Sequence, residues 1–186
     1  MIGLSELAAI AIDARKEPTP DPFLESLYRL DETAVYYRFL YRLARMVRPK
    51  ISVELGVCTG RGTAHMAGGN MEGVVYGIDP SPLDMSDILA RFQNIILMKD
   101  RSDSGKVLSV IPNETVDICF VDSEHTYDNA HKEVNLWTSK LKNGGVFIFD
   151  DVEYNEDMKR FWDWVPLQKI YLPGLHYTGF GAAIKG

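Results

Sequence analysis

From Ile51 onward the chain alternates short apolar, β-branched runs with segments of helical periodicity, and few folds accommodate that order. The runs are Ile51–Leu55, Val74–Ile78, Ile95–Met98, Val116–Val121 and Val146–Phe149. Parallel strands need long crossovers, and helices supply them. The pattern therefore predicts a doubly wound α/β fold, a parallel sheet with helices on both faces. Runs this rich in apolar, β-branched residues fit strands buried on both sides. The clearest helix is Tyr127–Leu141, with Ala130, Val134, Trp137 and Leu141 on one face, and Asn143-Gly144-Gly145 is expected to stop it. The ending departs from the alternation. A helix carrying Met158, Phe161, Trp162 and Val165 leads into Lys169–Leu172, a Pro173-Gly174 turn and a returning strand over Tyr177–Ile184, which predicts a terminal antiparallel hairpin. Residues 1–49 read as helical: Leu4–Ala14, a break at the prolines between Lys16 and Pro22, then a helix capped by Asp31 and ended by Pro49. At 186 residues, one domain is expected, with a helical N-terminal cap over 1–49 and a cofactor-binding α/β core over 50–186.

A net charge of −6 gives no general attraction to nucleic acid or to an anionic membrane. Arg38, Arg42, Arg45 and Arg48, with Lys50, read as the solvated face of one helix. Cys58 and Cys119 make no disulfide framework, and Cys119 is expected to pack within a buried strand. No apolar run is long enough to span a membrane. The first residues lack a basic leader, so a cytoplasmic protein is expected. The expected partner is a small molecule, and self-association is left open.

The first predicted strand closes on Glu54 and runs into Gly56-Val57-Cys58-Thr59-Gly60-Arg61-Gly62. Glycines let backbone approach a ligand, and the following helix offers free N–H groups. Starting from Gly56, a G-x-G-x-x-G fingerprint would need glycine at Cys58 and Arg61; starting from Gly60, it would need one at His65. Neither register fits, and no phosphate-binding G-x-x-x-x-G-K-[ST] occurs. The loop argues for an adenosine cofactor without a pyrophosphate, and Glu54 suits one that carries an amine.

In open α/β sheets ligands bind beyond the carboxyl ends of the strands. Asp79 ends the second strand about 25 residues after Glu54, the usual place for a ribose-binding acid; the alternative is a plain Asp-Pro-Ser-Pro turn. Lys99–Asp103, with Ser102, either lines an adenine pocket or caps the next helix. Asp122-Ser123-Glu124-His125 follows the fourth strand, and Asp150-Asp151 the fifth. Carboxylates crowded in one cleft repel unless a cation or protons neutralise them. Oxygen ligands favour a hard ion such as Mg²⁺, although Asp150 and Asp151 could simply open a solvated loop. His125 is a candidate general base. His65, His131 and His176 are expected to be structural, and Trp137, Trp162 and Trp164 to be core. Tyr36, Tyr37, Phe39 and Tyr41 could wall an acceptor site, with at least half of them in core packing.

Taken in order, Glu54-x-Gly56, Gly60, Gly77-Ile78-Asp79, Asp122-Ser123-Glu124-His125-Thr126-Tyr127 and Leu141–Asp151 resemble class I S-adenosylmethionine-dependent methyltransferases. The resemblance runs from about Lys50 to Lys185. It is strongest to small O-methyltransferases of the macrolide-sugar and cephalosporin-tailoring type. It implies a seven-stranded sheet with the last strand antiparallel. Glu54 would lie near the methionine amine, and Gly56, Cys58 and Gly60 would line the cofactor. Asp79 would hold the ribose, and Asp122, Asp150 and Asp151 a divalent ion. Cys58 stands where such loops often have glycine. The expected activity is O-methylation of a small hydroxylated acceptor, with His125 and Asp122 catalytic. A metal-independent methyltransferase and a non-catalytic cofactor-binding subunit are the alternatives.

Overall fold

In a computed structural model that describes residues 2–186, helices α1 (Leu4–Lys16), α2 (Pro22–Tyr28) and α3 (Tyr36–Val47) precede the sheet. Strand β1 (Ile51–Leu55), helix α4 (Arg61–Gly69), β2 (Val74–Ile78), α5 (Ser86–Arg91), β3 (Ile95–Met98), α6 (Gly105–Val110) and β4 (Val116–Val121) follow. The chain continues through α7 (Tyr127–Thr138), β5 (Leu141–Asp150), α8 (Glu156–Trp164), β6 (Gln168–Tyr171) and β7 (Phe180–Ile184). Among the described residues the sheet has seven strands in the order β3-β2-β1-β4-β5-β7-β6. β7 runs antiparallel to both neighbours, and β1 to β5 pair in parallel. The strand order reverses at β1, so the crevice beyond β1 and β4 is the expected ligand site.

Burial accounts for the layering. One apolar cluster joins α1 to α5 to one face of the sheet through residues such as Leu7, Phe39, Leu40, Phe120, Ile148 and Phe180. The other face carries α6 to α8 over Val107, Trp137, Phe147, Phe149 and Phe161. Each fully buried phenylalanine contributes roughly 1.5–3 kcal/mol by leaving water. Asp117 pins the opposite end of β1: it accepts from the N–H groups of Lys50 (2.8 Å) and Ile51 (3.0 Å) and pairs with Lys142. No described helix is long and apolar enough to cross a membrane.

Several boundaries differ from the sequence reading. α7 stops at Thr138, and Leu141 to Gly145, read as the end of a helix, already belong to β5. The glycines weaken a helix, and β4 draws Leu141 into register with Val116. Asp31 caps no helix, since α3 starts after Val35. Pro22, read as a breaker, opens α2 at its first turn, and the Asp21 carboxylate accepts from the Phe23 N–H there. Proline costs nothing at that position because its missing N–H has no partner in the helix.

Candidate active site

β1 delivers Glu54, and the chain then turns at Gly56 with φ +88°. A Cβ at Gly56 would lie 2.1 Å from the Asp122 carbonyl oxygen, so only glycine passes the end of β4. A Cβ at Gly62 would lie 2.2 Å from Glu54 Oε1, and its absence lets the carboxyl rest on the first turn of α4. Cys58, exposed at φ +46°, takes the left-handed backbone with a side chain attached, at a cost of roughly 1–2 kcal/mol. Asp79 clasps this loop. Its Oδ2 accepts from the N–H groups of Val57 and Cys58, both at 2.9 Å, and its Oδ1 from that of Ser81 at 2.7 Å.

Glu54 is only 2% exposed and accepts from the Thr63 hydroxyl. Burial pushes its carboxyl well above the usual range. The charges of Asp122 and Asp79 push the same way, against the Thr63 hydrogen bond. No basic side chain pairs with it among the described residues.

Glu54, Asp79, Ser102, Asp122, His125, Asp150 and Asp151 open onto one cavity of about 610 Å³. His125 Nε2 lies 2.7 Å from Asp151 Oδ2 and 3.7 Å from Asp122 Oδ1, without an aligned hydrogen bond. Asp122 and Asp151 lift His125 to about 10 against its burial. Burial and the Asp150 charge raise Asp122 to about 7. Burial likewise raises Asp150. For Asp151 burial is outweighed by His125 and by the Thr178 hydroxyl, and its carboxyl falls below the usual range.

His176, expected to be structural, belongs to this centre. Its Nδ1 bonds Asp150 Oδ1 at 2.7 Å and lies 3.6 Å from Asp151 Oδ1. Burial opposes protonation of His176, and Asp150 more than offsets it. The carboxylates therefore form two overlapping trios, Asp122–His125–Asp151 and Asp150–Asp151–His176, with the ligand atoms of each within 4.8 Å of one another. The hairpin explains the miss. β6 runs parallel to β5, so the turn after β6 returns to the carboxyl end of the sheet, where the site lies. Each trio offers two carboxylate oxygens and an imidazole nitrogen, a donor set that suits a divalent ion.

Tyr36 and Tyr37 line the cavity from α3, and with Phe39 and Tyr41, which do not, they are buried in the apolar cluster. The Tyr36 ring stacks on Phe180 at 5.1 Å and meets His176 edge-on at 5.1 Å, and its N–H donates to the Leu175 carbonyl. Burial, with the charges of Asp122 and Asp150, pushes the Tyr36 phenol up. At the far wall, Glu133 of α7 accepts from the hydroxyls of Ser102 and Ser123. Burial raises its carboxyl, and these bonds pull against it. Sequence reasoning missed Glu133, because a glutamate at mid-helix carries no mark of burial. Trp137 is core as expected, while Trp162 and Trp164 are partly buried against it. His131 packs between Tyr127 and Trp164.

A family model described as "Methyltransferase domain" matches residues 53–152, just over half of the chain. The protein belongs to this family, within the class I S-adenosylmethionine-dependent methyltransferases. A methyltransferase from Podospora anserina, solved with S-adenosylhomocysteine, superposes with a TM-score of 0.73 at 12% identity, covering 100% of this chain and 97% of that one. An O-methyltransferase from Bacillus cereus gives 0.67 at 17%, covering 98% and 100%. An O-methyltransferase from Streptomyces achromogenes involved in tomaymycin synthesis gives 0.66 at 17%, covering 100% of both chains. No curated protein matches the sequence.

Proposed function

We propose that this protein transfers the methyl group of S-adenosylmethionine to a hydroxyl oxygen of a small molecule, with a divalent ion at the carboxylate centre. One observation carries the reading. The glycine loop with its buried, unpaired Glu54 and the Asp122–His125–Asp150–Asp151 centre share a single cavity, and Asp122 stands at their junction. The likeness in fold to O-methyltransferases solved with S-adenosylmethionine or S-adenosylhomocysteine supports it.

When bound, S-adenosylmethionine supplies a methyl already activated on its sulfonium, and an ion such as Mg²⁺ on Asp122, Asp150 and Asp151 supplies the charge that acidifies the acceptor hydroxyl. Glu54 complements the methionine amine. Gly56, Cys58 and Gly60 bring backbone to the cofactor, Asp79 takes the ribose hydroxyls, and Ser102 borders the base. His125 accepts the acceptor's proton at Nε2. Tyr36 and Tyr37 keep water from the transfer line, along which reacting atoms stand about 3–3.5 Å apart.

His125 can act as a base only when neutral. In the ion-free site it stays protonated up to about pH 10. Turnover by ion-free protein is therefore expected to rise with pH towards 10, and Mg²⁺, by drawing charge from Asp122 and Asp151, to shift the rise downward. Transfer of labelled methyl to a panel of hydroxylated acceptors, with EDTA and with Mg²⁺, reads both effects. Asp122→Asn and His125→Ala should each lower turnover roughly 100-fold or more, and full turnover by both variants overturns the mechanism. One observation favours a metal-independent reading: His125 and His176 already pair with Asp151 and Asp150. A rate unchanged by EDTA would select it.

A further inference from the structure

His176 is the more buried of the two imidazoles at the carboxylate centre, its side chain 11% exposed against 32% for His125. It lies on the turn between β6 and β7, and backbone bonds sew that turn to the end of β5. Phe180 pairs with Asp150 across the sheet, and the N–H groups of Val152 and Glu153 donate to the carbonyls of Gly179 and Thr178. The rings of Tyr36 and Tyr177 meet the imidazole edge-on at 5.1 and 4.9 Å. The ring is therefore fixed to the same rigid element as Asp150 and Asp151.

Its Nδ1 faces three oxygens: Asp150 Oδ1 at 2.7 Å, the Thr178 hydroxyl at 3.0 Å and Asp151 Oδ1 at 3.6 Å. A hydroxyl has one hydrogen to donate, and Thr178 gives its own to Asp151. Nδ1 therefore meets acceptors only, and the position among them calls for a cation. A proton on the ring fills it in one way. A divalent ion fills it in another, with the ring neutral and its lone pair on the ion.

The spacing suits an ion. Donors at right angles on an ion with bonds of roughly 2.0–2.2 Å stand about 3 Å apart. The donor atoms of Asp150, Asp151 and His176 all lie within 4.8 Å of one another. We infer that His176 is a ligand, through Nδ1, of the divalent ion proposed above, and so makes the centre select ions with an affinity for nitrogen, such as Zn²⁺ or Fe²⁺, over Mg²⁺. Mg²⁺ keeps its waters and takes oxygen donors, whereas imidazole suits the later first-row ions. An all-oxygen set of Asp122, Asp150 and Asp151 would instead favour a hard ion. His125 meets the other oxygen of Asp151, Oδ2, and stays free as the base.

The inference rests on the ion of the proposed function, and the test separates the two. Titration calorimetry of the EDTA-treated full chain compares Zn²⁺ with Mg²⁺, for the wild type and for His176→Gln, whose amide offers oxygen in place of nitrogen. Zn²⁺ should bind the wild type more tightly. The variant should lose Zn²⁺ affinity by roughly 10- to 100-fold or more, since even a group that merely supports a ligand is worth that much. Its Mg²⁺ affinity should fall less, so that the preference narrows. Pulsed electron paramagnetic resonance of the Mn²⁺-loaded chain supplies a readout that a structural role would not move: nitrogen coupling in the wild type and in His125→Ala, and none in His176→Gln. A folded His176→Gln protein whose Zn²⁺ and Mg²⁺ affinities fall equally, or not at all, overturns the inference and leaves the proposed ion standing. So does coupling that is absent from the wild type, or that survives in His176→Gln and vanishes in His125→Ala. If His176→Gln does not fold, the coupling in His125→Ala decides: its presence supports the inference and its absence overturns it. Binding of neither ion by the wild type overturns the metal in the proposed function, and this inference with it.

Discussion

Gly56 and His65 are each tied to one backbone contact, and both give sharp predictions. At Gly56 any side chain meets the Asp122 carbonyl at 2.1 Å on a backbone already at φ +88°. Gly56→Ala should destabilise the protein by roughly 1–3 kcal/mol and displace Asp122, so that affinity for S-adenosylhomocysteine falls with stability. Denaturant unfolding with titration calorimetry reads both, and wild-type values for both would show the contact to be misplaced. His65 is fully buried against Tyr37. Its Nδ1 bonds the Arg61 carbonyl at 2.7 Å, and its Nε2 has no partner among the described residues. Burial lowers its pKa from 6.5 to about 4. The unfolded chain therefore binds a proton that the folded one refuses. The stability this group contributes is complete above pH 6.5 and is lost as pH falls towards 4, by roughly 3 kcal/mol. His65→Asn should remove that part of the pH dependence; an equally steep loss in the variant would assign the slope to other groups.

The arginines of α3 show where periodicity stops being informative about elements. Their helical spacing suggests a solvated face, yet Arg38 pairs with Glu25 of α2 at side-chain exposures of 15% and 10%. Arg42 holds the Glu17 and Pro18 carbonyls. Spacing says which residues share a face, but not that the proline-rich segment folds back across it. Glu25 also accepts from the Thr19 N–H and hydroxyl, so one carboxylate ties the link, α2 and α3 together. Arg38→Met leaves this charge buried without its partner and should cost roughly 3–5 kcal/mol. Adding Glu25→Gln should recover much of it, because the stranded charge is gone. A double variant as unstable as the sum of the two single ones would mean that the pair contributes through packing alone.

For the whole molecule, the parallel core and its terminal hairpin were legible from apolar runs and turns, because both obey local rules. That the polar residues beyond β1, β2, β4 and β5 share one cavity was legible for the same reason: topology sends them to one crevice. His176 and Glu133 were not. A histidine in a hairpin turn and a glutamate in mid-helix gain meaning only from strand order and burial, which depend on contacts distant in sequence. With S-adenosylmethionine in the cavity, as proposed above, Glu54 is the partner of its amine. The most direct test is calorimetric titration of the wild-type and Glu54→Gln proteins with S-adenosylmethionine, alongside NAD. The wild type should bind S-adenosylmethionine and not NAD, and Glu54→Gln should weaken that binding by roughly tenfold or more, as expected for a charge-assisted hydrogen bond. Binding of NAD without S-adenosylmethionine, or equal affinity in the two proteins, would contradict the account.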